Sequence, residues 1–122
     1  MAGGLRILFI DDDASLLNAL GTALRSSRDW QIELALGGEE GLEALERAPY
    51  DVVVTDLDMP IVGGRAILDA ARSVQPQALR IVLTGADVGK EQLDADAVII
   101  KPCSIGRLRR IIEATRTESW RS

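Results

Sequence analysis

LRILFIDDDASLL, residues 5–17, holds a strand, a charge cluster and the opening of a helix within thirteen positions. Leu5, Ile7, Leu8, Phe9 and Ile10 make a nearly unbroken apolar run, the pattern of a strand covered on both faces, as in a parallel sheet. Asp11, Asp12 and Asp13 follow directly, and at Leu16 and Leu17 the apolar spacing becomes helical. Two like charges 4 Å apart repel by about 4 kcal/mol at an effective dielectric near 20. Such a cluster at a strand end calls for solvent or for a cation.

The same alternation continues along the chain. QIELAL (31–36), DVVVT (51–55), RIVLT (80–84) and AVIIK (97–101) read as four more strands, all but the first of them nearly continuous apolar runs. Between them, Leu16, Leu17, Leu20, Ala23 and Leu24 share one face of a first helix. Leu42 and Leu45 mark a second helix, and Ile67, Ala70, Ala71 and Val74 a third. Ile105, Leu108, Ile111 and Ile112 mark a last one, with Ser104 as its N-cap. The stretch GADVGKEQLDAD (85–96) is short and weakly periodic, which predicts an abbreviated or irregular fourth helix. Strand alternating with helix five times implies an α/β, doubly wound (βα)5 domain, because each crossover between parallel strands needs a covering element. The expected organisation is a disordered N-terminus over 1–4, one domain over 5–116, and a tail or the start of a linker over 117–122.

Composition narrows the chemistry. The 122 residues are 47% apolar and 27% charged, ordinary for a globular domain. There is no histidine, which removes histidine metal sites and serine–histidine triads, and the single cysteine, Cys103, excludes an internal disulfide. No apolar run approaches the roughly 18 residues that cross a bilayer, and MAGGLRILFIDDD leads into charge where a signal peptide would have its cleavage region. A cytoplasmic protein without membrane contact is expected. The net charge of −5 divides unevenly: residues 101–122 carry six cations against two anions, so the rest is strongly acidic. Direct nucleic-acid binding by this domain is therefore not expected.

In open sheets of this kind ligands collect at the carboxyl ends of the strands. The first strand delivers Asp11, Asp12 and Asp13 there, and the third, VVVTDLDMP (52–60), delivers Asp56 with Asp58 just beyond. The fourth ends at Thr84 and the fifth at Lys101. Mg2+ takes oxygen ligands, so Asp11 or Asp12 together with Asp56 suffices to hold one. A lysine, a hydroxyl and a spare carboxylate beside it suit phosphoryl transfer, which asks mainly for positioning and charge stabilisation. Asp13, at the start of the first helix, reads as a cap.

The chain resembles the receiver domains of two-component response regulators from residue 5 to about 116. The likeness rests on the acid pair after the first strand, on Asp56 followed by Met59, Pro60 and Gly64, on Thr84, and on Lys101-Pro102. It implies a flavodoxin-like three-layer sandwich with strand order 2-1-3-4-5. It further implies that Asp56 is a phosphoacceptor served by a sensor histidine kinase or phosphotransfer protein. The resemblance also implies that Asp11, Asp12, Asp56 and the backbone carbonyl of Asp58 hold Mg2+, while Lys101 and Thr84 bind the phosphoryl oxygens. Such domains catalyse their own phosphorylation and dephosphorylation without being turnover enzymes. They act through an output domain or a downstream effector, and relatives often form homodimers. A fainter likeness of RDWQIELA and KPCSIGRL points to receivers preceding HD-type output modules.

The chain departs from the family pattern at Val98, at Gly85 where alanine is common, and in a short stretch from Thr84 to Lys101. Val98 stands three residues before Lys101, where an aromatic ring commonly reorients on phosphorylation. Val98 supports one alternative, a degenerate receiver acting as a phosphate-independent interaction module, and DLD (56–58) suggests another, a phosphatase of the haloacid dehalogenase type, whose Asp-x-Asp pattern it shares. In the latter type that motif sits on the first strand, and here the acids on the first strand come earlier.

Overall fold

Three of the four nearly continuous apolar runs become the inner strands of the sheet, and the fourth, AVIIK, becomes an edge strand. The structure, a computed structural model, describes residues 4–25, 29–85 and 89–121. Five parallel strands, β1 (Leu5–Asp11), β2 (Trp30–Leu36), β3 (Val52–Asp56), β4 (Leu79–Thr84) and β5 (Ala97–Ile100), lie in the order β2-β1-β3-β4-β5. β3 is buried along its whole length and β1 along nearly all of it, as strands covered on both faces must be. β2 is an edge strand, and its partial exposure explains why QIELAL mixes polar and apolar residues.

Alternation along β1 divides the interior in two. Ile7 and Phe9 join Leu17, Leu20, Leu24, Leu108 and Ile112 on the face covered by α1 (Ala14–Leu24) and α5 (Ile105–Arg121). Leu8 and Ile10 join Ala44, Leu45, Ile67 and Ala71 on the opposite face, covered by α2 (Gly38–Arg47) and α3 (Gly64–Val74). Among its described residues the fourth connection holds a single turn, α4 (Lys90–Leu93), in agreement with its weak periodicity. α5 continues through Arg121, so residues 117–121, expected as a tail or the start of a linker, are helical. Ser122, and residues 1–3 of the expected disordered N-terminus, lie outside the described residues. No helix among the described residues is long and apolar enough to cross a membrane.

One packing assignment needs correction. Val74 was expected on the buried face of the third helix and is 43% exposed. It is the last helical residue, and the next one, Gln75, turns inward in its place. The Gln75 amide nitrogen donates to the carbonyls of Leu45 (2.8 Å) and Ala48 (2.6 Å), and its oxygen accepts from the Tyr50 backbone N–H (2.7 Å). One side chain thus satisfies backbone groups at the end of α2 and at the approach to β3, where the ladder leaves them orphaned.

Candidate functional site

Two neighbouring strands bring the acids together. Ile10 of β1 pairs with Thr55 of β3, so the next residues, Asp11 and Asp56, stand side by side at the carboxyl edge of the sheet. Both are buried, at 3% and 7% exposure, while Asp12 is open to solvent. One carboxylate oxygen from each of Asp11, Asp12 and Asp56 lies within 4.8 Å of the others. The third acid of the run has a different task. Asp13 caps α1, accepting the Leu16 N–H at 3.2 Å, and its own N–H donates to Asp11 Oδ1 at 2.9 Å, which fixes the Asp11 carboxylate.

Lys101 enters from the far strand. Its backbone N–H donates to the Thr84 carbonyl at 2.7 Å, and its Nζ lies 3.1 Å from Asp11 Oδ2 and 3.6 Å from Asp56 Oδ1. Burial and the adjacent Asp11 charge push the Asp56 carboxyl above its usual range, against the opposing pull of Lys101 and of the Leu57 and Asp58 backbone N–H groups. For Lys101, burial acts to lower the pKa. The hydrogen bond to Asp11 and the charges on Asp11 and Asp56 outweigh it, and the ammonium is held above its usual value. Three carboxylates against one ammonium leave two negative charges. A small divalent cation with oxygen ligands fits this donor set in charge, in atom type and in spacing.

Thr84 ends β4 and is fully buried. Because Leu83 pairs with Asp56, Thr84 stands one position further along the same edge. The Asp58 side chain is exposed, two residues past Asp56. Gly64 is required by contact: a Cβ there would sit 2.3 Å from the Asp56 carbonyl oxygen, and the Gly64 N–H donates to the Leu57 carbonyl at 2.9 Å. The first residue of α3 therefore lies directly against the acid's backbone. Thr55, unremarked in the sequence, donates its hydroxyl to that same Asp56 carbonyl at 2.8 Å.

The loop from Asp56 to Gly64 contains a tight turn. The Val62 N–H donates to the Pro60 carbonyl at 2.8 Å across Ile61, whose φ is 70°. A three-residue turn with positive φ at its centre is the rare and strained form of the γ-turn. Its ends are anchored. Met59 and Val62 pack on the core beneath α2 and α3, and Val62 abuts Gly38 so closely that a Cβ on Gly38 would lie 2.1 Å from the Val62 carbonyl oxygen. Nothing in the local sequence signals the strain at Ile61, because the contact that fixes the turn comes from Gly38.

On the other side of the site a cavity of about 420 Å3 opens below Lys101, walled by Leu16 and Leu20 of α1, Leu83, and Ile105 and Leu108 of α5. Cys103 is half-buried on its wall and packs against the core. Val98 packs with Leu57 and Ala95 against Leu68, Val82 and Leu93, so an aliphatic cluster occupies the place of a reorienting ring.

The family model for the response regulator receiver domain matches residues 7–113. Among curated proteins the chain is 32% identical over 115 residues to the transcriptional regulatory protein QseB of Escherichia coli O157:H7, covering 90% of this chain and 52% of QseB. It is 31% identical over 121 residues to the probable chemotaxis protein CheY of Rhizobium etli, covering 93% of this chain and 94% of that protein. The chain thus spans about half the length of the first relative and nearly all of the second. Among solved structures it superimposes on a CheY-like receiver domain protein of Methanospirillum hungatei JF-1 with a TM-score of 0.88, at 26% identity and over 98% of each chain.

Proposed function

The chain belongs to the response regulator receiver domains, and on that premise we propose a role for each side chain at the edge of its sheet. As a member of the family it is a Mg2+-dependent phosphoacceptor signalling domain, and Asp56 is the acceptor. The observation that carries the reading is the convergence of Asp11, Asp12 and Asp56 within 4.8 Å, with Lys101 Nζ between two of them.

In the reaction a carboxylate oxygen of Asp56 attacks the phosphorus of a phosphohistidine on a sensor kinase or phosphotransfer protein. A P–O bond forms as the P–N bond breaks, and the departing imidazole nitrogen takes up a proton. Asp11 and Asp12, with Asp56 and the Asp58 backbone carbonyl, would hold the Mg2+, which supplies charge neutralisation at the phosphoryl oxygens when bound. Asp13 acts indirectly, because its cap on α1 and its N–H to Asp11 hold the Asp11 carboxylate toward the cluster.

Lys101 already lies within 3.6 Å of the attacking side chain. Esterification leaves Asp56 without its carboxylate charge, and the ammonium then turns to the new phosphoryl oxygens. Thr84, one position past the residue paired with Asp56, offers a hydroxyl to one of those oxygens. Its movement out of a fully buried position couples phosphate to the surface over β4 and β5, where Val82 and Val98 pack. An output domain or a separate effector reads that surface, and residues 5–116 form the functional unit.

The test is phosphorylation of the purified chain by acetyl phosphate with Mg2+, read by intact mass. One adduct per chain is expected for the natural sequence and none for Asp56→Asn. Equal labelling of the two proteins overturns the assignment, as does multiple turnover on phosphomonoesters.

A further inference from the structure

Ile61 is held in the left-handed region at φ 70°, where a β-branched residue is a conformational outlier. Among the described residues one other non-glycine residue has positive φ, Asp94 at 55°, and its carboxylate is engaged by Arg72 and Arg80. Ile61 has no such return. Its side chain is 87% exposed, so packing within the domain does not repay the strain. The packing of Met59 and Val62 and the bond from the Val62 N–H to the Pro60 carbonyl hold the turn, but glycine or asparagine would hold it without strain, so a bulky exposed side chain at its tip points to a gain made outside the fold.

Its position says where that gain arises. Ile61 lies five residues past the acceptor Asp56, on a turn whose flanks, Met59 and Val62, are fixed in the core. Among the described residues Leu36, 47% exposed, is another large exposed aliphatic residue at this edge, where it ends β2 in register with Asp11, while Ile100 is exposed at the far strand, β5. Gly38, two residues past Leu36, is in contact with Val62, so Leu36 and Ile61 share one rim. Beside that rim the side chains of Asp58 and of Glu39, next to Gly38 in the first turn of α2, are exposed carboxylates that the metal does not use. The surface offered to a visitor is an apolar knob among negative charges.

We propose that Ile61, flanked by Leu36, is a contact by which this domain selects its protein phosphodonor, whose surface presents an apolar notch bordered by basic side chains. The inference rests on Asp56 being the acceptor, because the macromolecule that delivers the phosphoryl group must close over this rim. The exposed carboxylates of Asp58 and Glu39 call for cations on that partner. A small donor such as acetyl phosphate has no apolar surface to meet Ile61 and passes it by.

The test compares phosphotransfer to the natural chain, Ile61→Val, Ile61→Asn and Ile61→Gly. Donors are the autophosphorylated sensor kinase domains of the source organism, with acetyl phosphate in parallel. Asn and Gly accept positive φ, so both variants relieve the turn. With the kinase that serves the natural chain fastest, kcat/KM falls about tenfold for Ile61→Asn and Ile61→Gly, carried by KM, and stays within about twofold for Ile61→Val. Acetyl phosphate labelling is unchanged throughout, and Tm of the Asn variant rises by about 3–6 °C. Kinase transfer to the Asn and Gly variants at the natural rate overturns the proposal. So does an equal fall with acetyl phosphate, or a lowered Tm, either of which makes Ile61 a structural residue. Labelling of the natural chain by acetyl phosphate but by no kinase removes the partner and leaves Asp56 as acceptor. Failure with every donor instead overturns the acceptor assignment itself.

Discussion

The two ends of the sheet treat polar groups in opposite ways. At the carboxyl end Asp11, Asp12 and Asp56 crowd within 4.8 Å around one ammonium, and two negative charges remain uncompensated. At the amino end of β3 Gln75 makes three hydrogen bonds to backbone groups of two other segments, and the Asp51 carboxylate accepts the Arg6 N–H at 2.8 Å. One end is built for a ligand and tolerates repulsion until it arrives. The other holds the layers together, so the energetic burden of the site is carried by contacts far from it.

Removing the clamp attacks the contrast most strongly. Gln75→Ala leaves the carbonyls of Leu45 and Ala48 and the Tyr50 N–H without partners, and is expected to lower unfolding free energy by about 2–4 kcal/mol in chemical denaturation. Acetyl phosphate labelling at a temperature where the variant stays folded should be retained, because no residue of the acidic edge touches Gln75 in these bonds.

At the opposite end a substitution should stabilise. Asp56→Asn removes one charge from the cluster, and without divalent cation it is expected to gain about 1 kcal/mol after solvent screening. The pH dependence gives the sign. Folding raises the Asp56 pKa, so its favourable contribution is complete below about pH 4 and is lost as pH rises through the folded value. The advantage of Asp56→Asn should therefore be small near pH 4 and widen toward neutrality in EDTA. Saturating Mg2+ should reverse it by stabilising the natural chain alone. A natural chain that is the more stable of the two at pH 7 in EDTA breaks the comparison.

Tyr50 sharpens it at the smallest scale. Its hydroxyl is buried and makes no hydrogen bond among the described residues. Glu33, whose charge adds to the shift, is engaged by Arg47 and lies outside hydrogen-bond geometry with it. Burial pushes the phenol up to about 12, so its contribution is intact below pH 10 and is lost as pH rises through about 12. Tyr50→Phe should change stability at neutral pH by less than about 1 kcal/mol and abolish that alkaline loss, while Arg6 keeps its place over the ring. Denaturation curves at pH 7 and above pH 10 decide it.

Much of this was legible in the chain itself, for a physical reason. Strands buried on both faces leave uninterrupted apolar runs, and Asp11, Asp56, Thr84 and Lys101 each stand at or directly after such a run, so strand order alone brings them to one edge. The second helix was thinly marked, because its buried face is largely Gly38, Gly41 and Ala44, small residues that carry little hydrophobic signal. Gln75 and Ile61 were silent for another reason. Each owes its conformation or its bonds to residues far away in sequence, Leu45, Ala48 and Tyr50 for one and Gly38 through Val62 for the other. The Val74 assignment failed at a helix end, where periodicity continues on paper after the backbone has turned.

The half-buried Cys103 on the cavity wall is the chain's single thiol. A spectroscopic label therefore attaches at one known position, two residues from Lys101, with no background to remove by mutagenesis. Kinetics of switching can be followed on the natural sequence by a reporter seated between the first and last helices.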